Sequence, residues 1–229
     1  MEMKQIGIIK TGFCEKFGIP RQAGLAPDAL GRIVFEKEYR DPAAFKGIEG
    51  FSHLWLIWDF SLSHEERFSP TVRPPRLGGK ERLGVFATRS PFRPNPLGLS
   101  CVRLLSVDFE SEDSPALIVG GVDMLDKTPI YDIKPYIPYA DAHPKAQGGF
   151  TASLPKYGLT VRFDDEVCRK LPPETKAAIR DILAQDPRTA YLHDDKRIWG
   201  LSYDGWNIRF RVEGSVCTVV EAVFHPAVP

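Results

Sequence analysis

Short apolar runs separated by turn residues fill the first 138 positions. Ile6 to Ile9, Arg32 to Phe35, Leu54 to Phe60, Gly84 to Thr88, Ser100 to Val107 and Ala116 to Val122 are rich in β-branched, aromatic and aliphatic residues, each bounded by Gly, Pro, Asp or Ser. No strong amphipathic helix intervenes, so the βαβ alternation of a parallel sheet is missing. The pattern predicts an antiparallel barrel or a compact sandwich over residues 1–138. Between Pro138 and Pro155 the periodicity breaks into Ala, Asp, His, Gln and Gly, and residues 139–158 read as a linker. Beyond it, Leu159 to Phe163 alternates like a strand. Pro172-Pro173 opens a helix whose apolar stripe is Ala177, Ile179, Ile182 and Leu183, and Asp186-Pro187 stops it. Ile198 to Tyr203 and Trp206 to Val212 flank Asp204-Gly205, a two-residue hairpin signal, and Glu213-Gly214-Ser215 leads into Val216 to Phe224. The expected fold class is therefore mainly β: an N-terminal β-barrel and, over residues 159–229, a small α+β domain.

Composition narrows the function classes. Thirty basic residues balance 30 acidic ones, so contact with nucleic acid has to come from a local patch rather than a globally basic body. Cys14, Cys101, Cys168 and Cys217 are far apart and form no Cys-x-x-Cys pair, which argues for free thiols over a zinc knuckle. No apolar stretch approaches the roughly 20 residues of a membrane helix, and a soluble cytoplasmic protein is expected. Walker, dinucleotide-fingerprint, His-Glu-x-x-His and Gly-x-Ser-x-Gly motifs are all missing.

One segment stands out chemically. Residues 70–98 interleave Arg73, Arg76, Lys80, Arg82, Arg89 and Arg93 with prolines and glycines, and only Glu81 opposes them locally. Proline-stiffened loops with guanidinium groups suit a polyanion or a nucleotide. Pro20-Arg21-Gln22 offers several donors and an amide acceptor, and Asp123 to Tyr136 reads as a strand-end loop rich in acids, hydroxyls and aromatics, the features an adenosine ligand needs. His53 is expected to be a core histidine bonded to backbone. Trp55 and Trp58 are expected in the core.

These motifs together resemble one family. Pro20-Arg21-Gln22, Phe51-Ser52-His53-Leu54-Trp55, Arg73-Pro74-Pro75-Arg76-Leu77-Gly78-Gly79, Gly84-Val85-Phe86-Ala87-Thr88-Arg89-Ser90, Phe92-Arg93-Pro94-Asn95-Pro96-Leu97-Gly98 and Asp132-Ile133-Lys134-Pro135-Tyr136 look like the TrmO (YaeB/TsaA-like) family across nearly all of residues 1–138. Residues 159–229, with Asp186-Pro187-Arg188, are similar to the C-terminal domain of its bacterial members. The resemblance implies an S-adenosylmethionine-dependent tRNA methyltransferase on a β-barrel, acting as a homodimer on N6 of N6-threonylcarbamoyladenosine 3′ of the anticodon, at position 37. It implies that Arg21, Gln22, Arg89, Leu99 and the loop Asp126, Lys127, Thr128 and Pro129 hold the cofactor. The end of the Trp-bearing strand belongs to that site in the family; here it reads Ser61-Leu62, where some relatives have a larger polar residue.

No metal is required for methyl transfer from a sulfonium. Asp132 is the candidate acceptor for the N6 proton and Tyr136 a candidate positioning hydroxyl, with an Asp132–Lys134 ion pair as the structural alternative. Arg73, Arg76, Arg93 and Lys134 are expected on phosphates of the anticodon loop or on the threonyl carboxylate. The competing reading is a non-catalytic RNA-binding or nucleotide-sensing barrel. The C-terminal domain is expected to serve tRNA engagement, and the barrel to fold without it.

Overall fold

The computed structural model describes residues 2–65, 67–74, 77, 81–153, 158–188 and 197–225. Six antiparallel strands close a barrel in the order β1 (Gly7–Thr11), β2 (Leu30–Phe35), β7 (Ala116–Gly120), β6 (Leu97–Asp108), β3 (His53–Asp59) and β8 (Thr128–Pro135), with β8 pairing back onto β1. Alternation does the closing. Ile9, Ile33, Leu54, Leu56, Val102, Leu117, Val119 and Ile130 point inward and are at most 1% exposed. Each such side chain contributes about 1.5–3 kcal/mol by leaving water.

Two readings of the pattern need correction. Gly84 to Thr88 is not a barrel strand: β5 (Leu83–Gly84) pairs only with β4 (Thr71–Val72), and a 3₁₀ turn follows at Val85–Ala87. Val85 alone of that run is buried, while Phe86 and Ala87 face solvent, so the segment has no apolar face to give a sheet. The sixth strand comes instead from the stretch read as a loop. In β8, Thr128 and Ile130 face in while Asp132 and Lys134 decorate the outside, and those charges hid a half-buried strand. Similarly, His53 and Trp55 lie on the outer face of β3 rather than in the core. His53 is exposed with Nδ1 against the Ser52 hydroxyl at 2.9 Å, and Trp55 donates to Asp141 at 3.0 Å. Trp58 is buried as expected.

The linker carries a short helix, α1 (Pro138–Asp141), and a 3₁₀ turn over Gly149–Ser153. After it, β9 (Thr160–Phe163), α2 (Asp165–Lys170), α3 (Pro173–Ala184), β10 (Trp199–Tyr203), β11 (Trp206–Glu213) and β12 (Val216–Phe224) form a four-stranded sheet, order β10-β11-β12-β9, with helices beside it. Asp204 and Gly205 both have positive φ, 50° and 76°, as a two-residue primed hairpin turn demands. In α3 the buried stripe uses Ala178 rather than Ala177. Helix α2 follows Asp164 and escaped notice because six residues are too few to show a period. No described helix is long and apolar enough to cross a membrane.

The two halves share one hydrophobic core. Residues 12–29, the loop between β1 and β2, are the joint. Phe13 packs edge-on against Tyr203 at 5.1 Å, and Phe17 stacks on Trp199 at 6.4 Å. Gly18, at φ +91°, lies so close to Leu201 that any side chain there would collide with it. Backbone bonds add registration: Asp204 N–H to Gly12 C=O at 2.8 Å, Ser202 N–H to Glu15 Oε1 at 3.0 Å, and Asp28 N–H to Asp181 Oδ2 at 3.2 Å. The first loop of the barrel, expected to fold without the C-terminal domain, is lined by that domain.

Candidate functional site

The antiparallel register decides which residues can meet. Asp59 at the end of β3 is opposite Leu97 at the start of β6, Ile9 on β1 is opposite Thr128 at the start of β8, and Leu30 at the start of β2 is opposite Gly120 at the end of β7. One rim of the barrel therefore collects the loop of residues 12–29, the loop of residues 60–96, the Gly121–Lys127 turn and the first residues of β6. Arg21, Gln22, Ser61, Leu62, Arg89, Leu99 and Asp126 to Pro129 all fall on that rim.

Two of these loops touch directly. Arg89 donates through a guanidinium N–H to Oε1 of Gln22, and Gln22 Nε2 turns back to the Arg21 carbonyl. Lys16 reaches the Leu62 carbonyl at 3.2 Å. Asp126 is occupied structurally: its Oδ1 accepts from Thr11 N–H at 3.0 Å, and its own N–H donates to Phe13 C=O at 2.8 Å. Thr128 is 4% exposed and donates its hydroxyl to Leu125 C=O at 2.7 Å, while Lys127 holds the left-handed region at φ 62°. This turn is therefore rigid, and its exposed residue is Lys127, with Pro129 half-buried and the Thr128 hydroxyl turned inward.

Inside the rim lies a polar chain that sequence reasoning missed. Trp58 Nε1 donates to the Ser100 hydroxyl at 2.9 Å, and Ser100 donates to Asp123 Oδ1 at 2.6 Å. Gly98 makes room for it, since a Cβ there would collide with the Trp58 ring. Burial pushes the Asp123 carboxyl up to about 6, against the opposing effect of hydrogen bonds from Ser100, from its own amide and from the Ala23 amide, and of the nearby Arg89 charge. Asp123 thus ties the Arg21–Ala23 backbone to the barrel and faces the loop that bears Arg89. The available signal was a lone acid directly after the apolar β7 run.

The outer wall holds a second row. Ile57 pairs with Leu99 on one side and Asp132 on the other, so Leu99, Ile57 and Asp132 lie across three adjacent strands, about 5 Å apart per strand. Leu99 is 54% exposed. The next row is Cys101, Trp55 and Lys134, and beyond it Tyr136 donates its N–H to His53 C=O at 3.0 Å. Tyr136 sits about 13 Å along the strand from Asp132, with its ring 5.9 Å from that of Trp55. Asp132 Oδ2 is 2.8 Å from Lys134 Nζ, and its carboxylate raises the Lys134 ammonium above the ordinary lysine value. The ion pair weighed as the alternative to a catalytic Asp132 is therefore present. Asp59, at the rim, accepts from His64 Nε2 at 2.8 Å.

Of the cationic set, Arg73 is exposed, Arg93 is half-buried with its guanidinium on Thr88 C=O at 3.2 Å, and Arg76 lies outside the described residues. Arg73 and Arg93 share the loop of residues 60–96, whereas Lys134 stands on the outer wall of β8. Among the described residues no cluster of three metal-ligating side chains occurs.

Comparison with known proteins accords with this architecture. A model of the tRNA-methyltransferase O N-terminal domain matches residues 8–142, and one of the TrmO C-terminal domain matches residues 156–224. The chain is 43% identical over 221 residues to the tRNA (adenine(37)-N6)-methyltransferase of Escherichia coli, covering 92% of this chain and 93% of that one. It is 41% identical over 209 residues to a Pseudomonas aeruginosa protein whose name places it among S-adenosylmethionine-dependent methyltransferases, covering 86% and 88%. The crystal structure of TrmO from Pseudomonas aeruginosa superposes with a TM-score of 0.78 at 32% identity, covering 98% and 97% of the two chains.

Proposed function

Because the chain belongs to the tRNA-methyltransferase O family, we propose that it methylates N6 of N6-threonylcarbamoyladenosine at position 37 of tRNA, using S-adenosylmethionine. The observation that supports this reading best is the convergence at one barrel rim of Arg89, Gln22 and Asp123, drawn from three separate segments. The methyltransferase relatives favour catalysis over a non-catalytic RNA-binding or nucleotide-sensing barrel.

The donor set fits the cofactor. A guanidinium at Arg89 matches a carboxylate, the Gln22 amide matches polar edges, and exposed Leu99 offers an apolar contact. Asp123 is a carboxylate whose charge is made costly by burial, and a cationic ligand nearby would relieve that cost. When bound, S-adenosylmethionine supplies a methyl group on a sulfonium that leaves readily.

The protein's remaining work is alignment and exclusion of water. Arg21, Gln22, Ser61, Leu62, Arg89, Leu99 and the Asp126–Pro129 turn frame the cofactor side. On the acceptor side, Asp132 receives or orients the N6 proton from its place one strand beyond Ile57, and Tyr136 contacts a part of the substrate farther along the wall. Lys134, paired with Asp132, holds that carboxylate in place and with Arg73, Arg76 and Arg93 meets phosphates of the anticodon loop or the threonyl carboxylate. Leu99 lies on an open outer wall, so a second copy of the chain packing there would enclose the cofactor. A homodimer is the assembly this favours, in the cytoplasm where its tRNA substrate resides.

Single-turnover methyl transfer tests the reading. A tRNA bearing the threonylcarbamoyl group should react roughly ten-fold faster or more than the same transcript without it, because one charge-assisted pair to its carboxylate is worth about 1.5–3 kcal/mol. Equal rates would reject the substrate assignment.

A further inference from the structure

Three phenylalanines stand exposed on the loop of residues 60–96, and the cofactor and acceptor sites above use none of them. Phe86 is 75% exposed and Phe68 59% exposed. Their rings stack at 6.4 Å and 27°. Phe92, 44% exposed, joins Phe68 in lining a cavity of ≈ 210 Å³ that also takes in Glu65, Arg67, Arg93 and Pro94. Singly, such residues are ordinary; grouped on one loop they form a patch that calls for a partner.

Charge selects the partner. Residues 60–96 hold seven Arg and Lys against three Glu, in a chain whose formal net charge is zero. A two-fold contact between copies of the chain centred on this patch would set like charges against each other. Unpaired nucleotides match both features at once, with bases for the rings and phosphates for the guanidinium groups. Base–aromatic stacking is a common mode by which single-stranded RNA is held.

Resting on the tRNA reading above, we infer that Phe68, Phe86 and the adjoining Phe92 cavity form a stacking site for unpaired bases of the RNA loop that flank the target adenosine. Arg67 and Arg93, at the cavity, meet their phosphates. The loop that brings Arg89 to the cofactor rim thereby also grips the RNA, and it sets which loop conformation reaches the rim.

The test uses the full-length protein and an anticodon stem-loop carrying the threonylcarbamoyl group, with 2-aminopurine beside the target adenosine. Binding to the wild-type protein should quench the probe. The double variant Phe68→Ala/Phe86→Ala should lose the quench and bind about five- to a hundred-fold more weakly, with an unchanged salt slope and unchanged S-adenosylmethionine affinity by calorimetry. Phe86→Trp should restore binding, and Arg67→Ala should instead lower the salt slope by about one. Undiminished RNA affinity and quenching in the double variant would overturn the stacking site while leaving the substrate reading intact. A shift from dimer to monomer in sedimentation, with RNA affinity retained, would assign the patch to a second copy and also overturn it. Failure of the wild-type protein to bind or methylate the stem-loop would reject the tRNA reading, and this inference with it.

Discussion

The loops of residues 12–29 and 60–96 leave the same barrel rim, yet they are held in opposite ways. The first is gripped from outside itself: Phe13 and Phe17 pack on Tyr203 and Trp199, Gln185 Nε2 reaches Leu25 C=O at 3.2 Å, and Gly24 N–H bonds to Gly121 C=O at 2.8 Å. The second is held mainly by its own residues, through Val85 N–H to Pro70 C=O at 3.0 Å, Arg82 Nε to the Thr71 hydroxyl at 2.9 Å and Thr88 to Val85. A loop locked by a second domain presents Arg21 and Gln22 in fixed positions before any ligand arrives, which lowers the ordering cost of binding a small cofactor. The second loop meets the first only at points, through Arg89 to Gln22 and Lys16 to the Leu62 carbonyl among the described residues, and it leaves Phe68, Phe86 and Arg73 exposed toward a large, shape-variable partner. If Arg21 and Gln22 hold the cofactor as proposed, this packing puts the C-terminal domain on the cofactor side of the reaction, where the sequence predicts a role in tRNA engagement.

The strongest way to break this comparison is to loosen the grip. Leu201 is 0% exposed and sits against Gly18, so Leu201→Ala opens a cavity at the joint and should cost about 2–5 kcal/mol in urea unfolding. If the joint prepositions Arg21 and Gln22, the same variant should bind S-adenosylmethionine measurably more weakly at temperatures where it remains folded. Lower stability with unchanged cofactor affinity by calorimetry would show that the domain supports the barrel without shaping the site. Removing residues 149–229 should be worse still, because Phe13 and Phe17 would lose their cover.

The contact between the loops is sharpened by Arg89→Ala. Arg89 is exposed and donates to Gln22, and it is proposed to meet the cofactor carboxylate. Folding stability should stay within about 0.5 kcal/mol of wild type, as for most surface changes. Losing a charge-assisted bond worth about 1.5–3 kcal/mol should lower methyl transfer some ten-fold to a hundred-fold. A folded variant with full activity would remove Arg89 from the site.

The two halves were unequally legible. Strands β1, β2, β3, β6 and β7, helix α3 and both C-terminal hairpins follow from apolar runs and turn residues, because local pattern governs them. β8 was hidden because its outward face carries Asp132 and Lys134, and the run at Gly84 misled because apolar residues there serve a self-contained hairpin and an exposed aromatic pair. The loops that carry the residues named from motif resemblance leave one rim, which register alone explains once the barrel is closed. The Trp58–Ser100–Asp123 chain was not legible: its members are 42 and 23 positions apart, and only strand pairing brings them into one hydrogen-bonded line. The grip of the C-terminal domain was equally hidden, since nothing in Phe13 or Phe17 says which surface will cover it.

Asp123 is the joint between the two loops, bonded to the Ala23 amide and facing Arg89, and it provides the gentlest test of the comparison. Its carboxyl is raised from 3.8 to about 6 in the folded protein, chiefly by burial. A folded-state value above the unfolded one means that the native state binds the proton more tightly. Its contribution to stability is therefore complete below about pH 4 and is lost as the pH rises through about 6. With the residue only partly buried, the change should be about 1–2 kcal/mol. Asp123→Asn cannot ionise and should flatten this part of the profile, leaving the variant at least as stable as wild type at pH 7.5 when melting is followed from pH 4 to 7.5. It should nevertheless bind S-adenosylmethionine more weakly, because a neutral amide offers one acceptor oxygen where the carboxylate serves both Ser100 and Ala23. A parallel pair of melting profiles would mean that solvent already screens Asp123, and that the first loop owes its fixed position to the C-terminal domain alone.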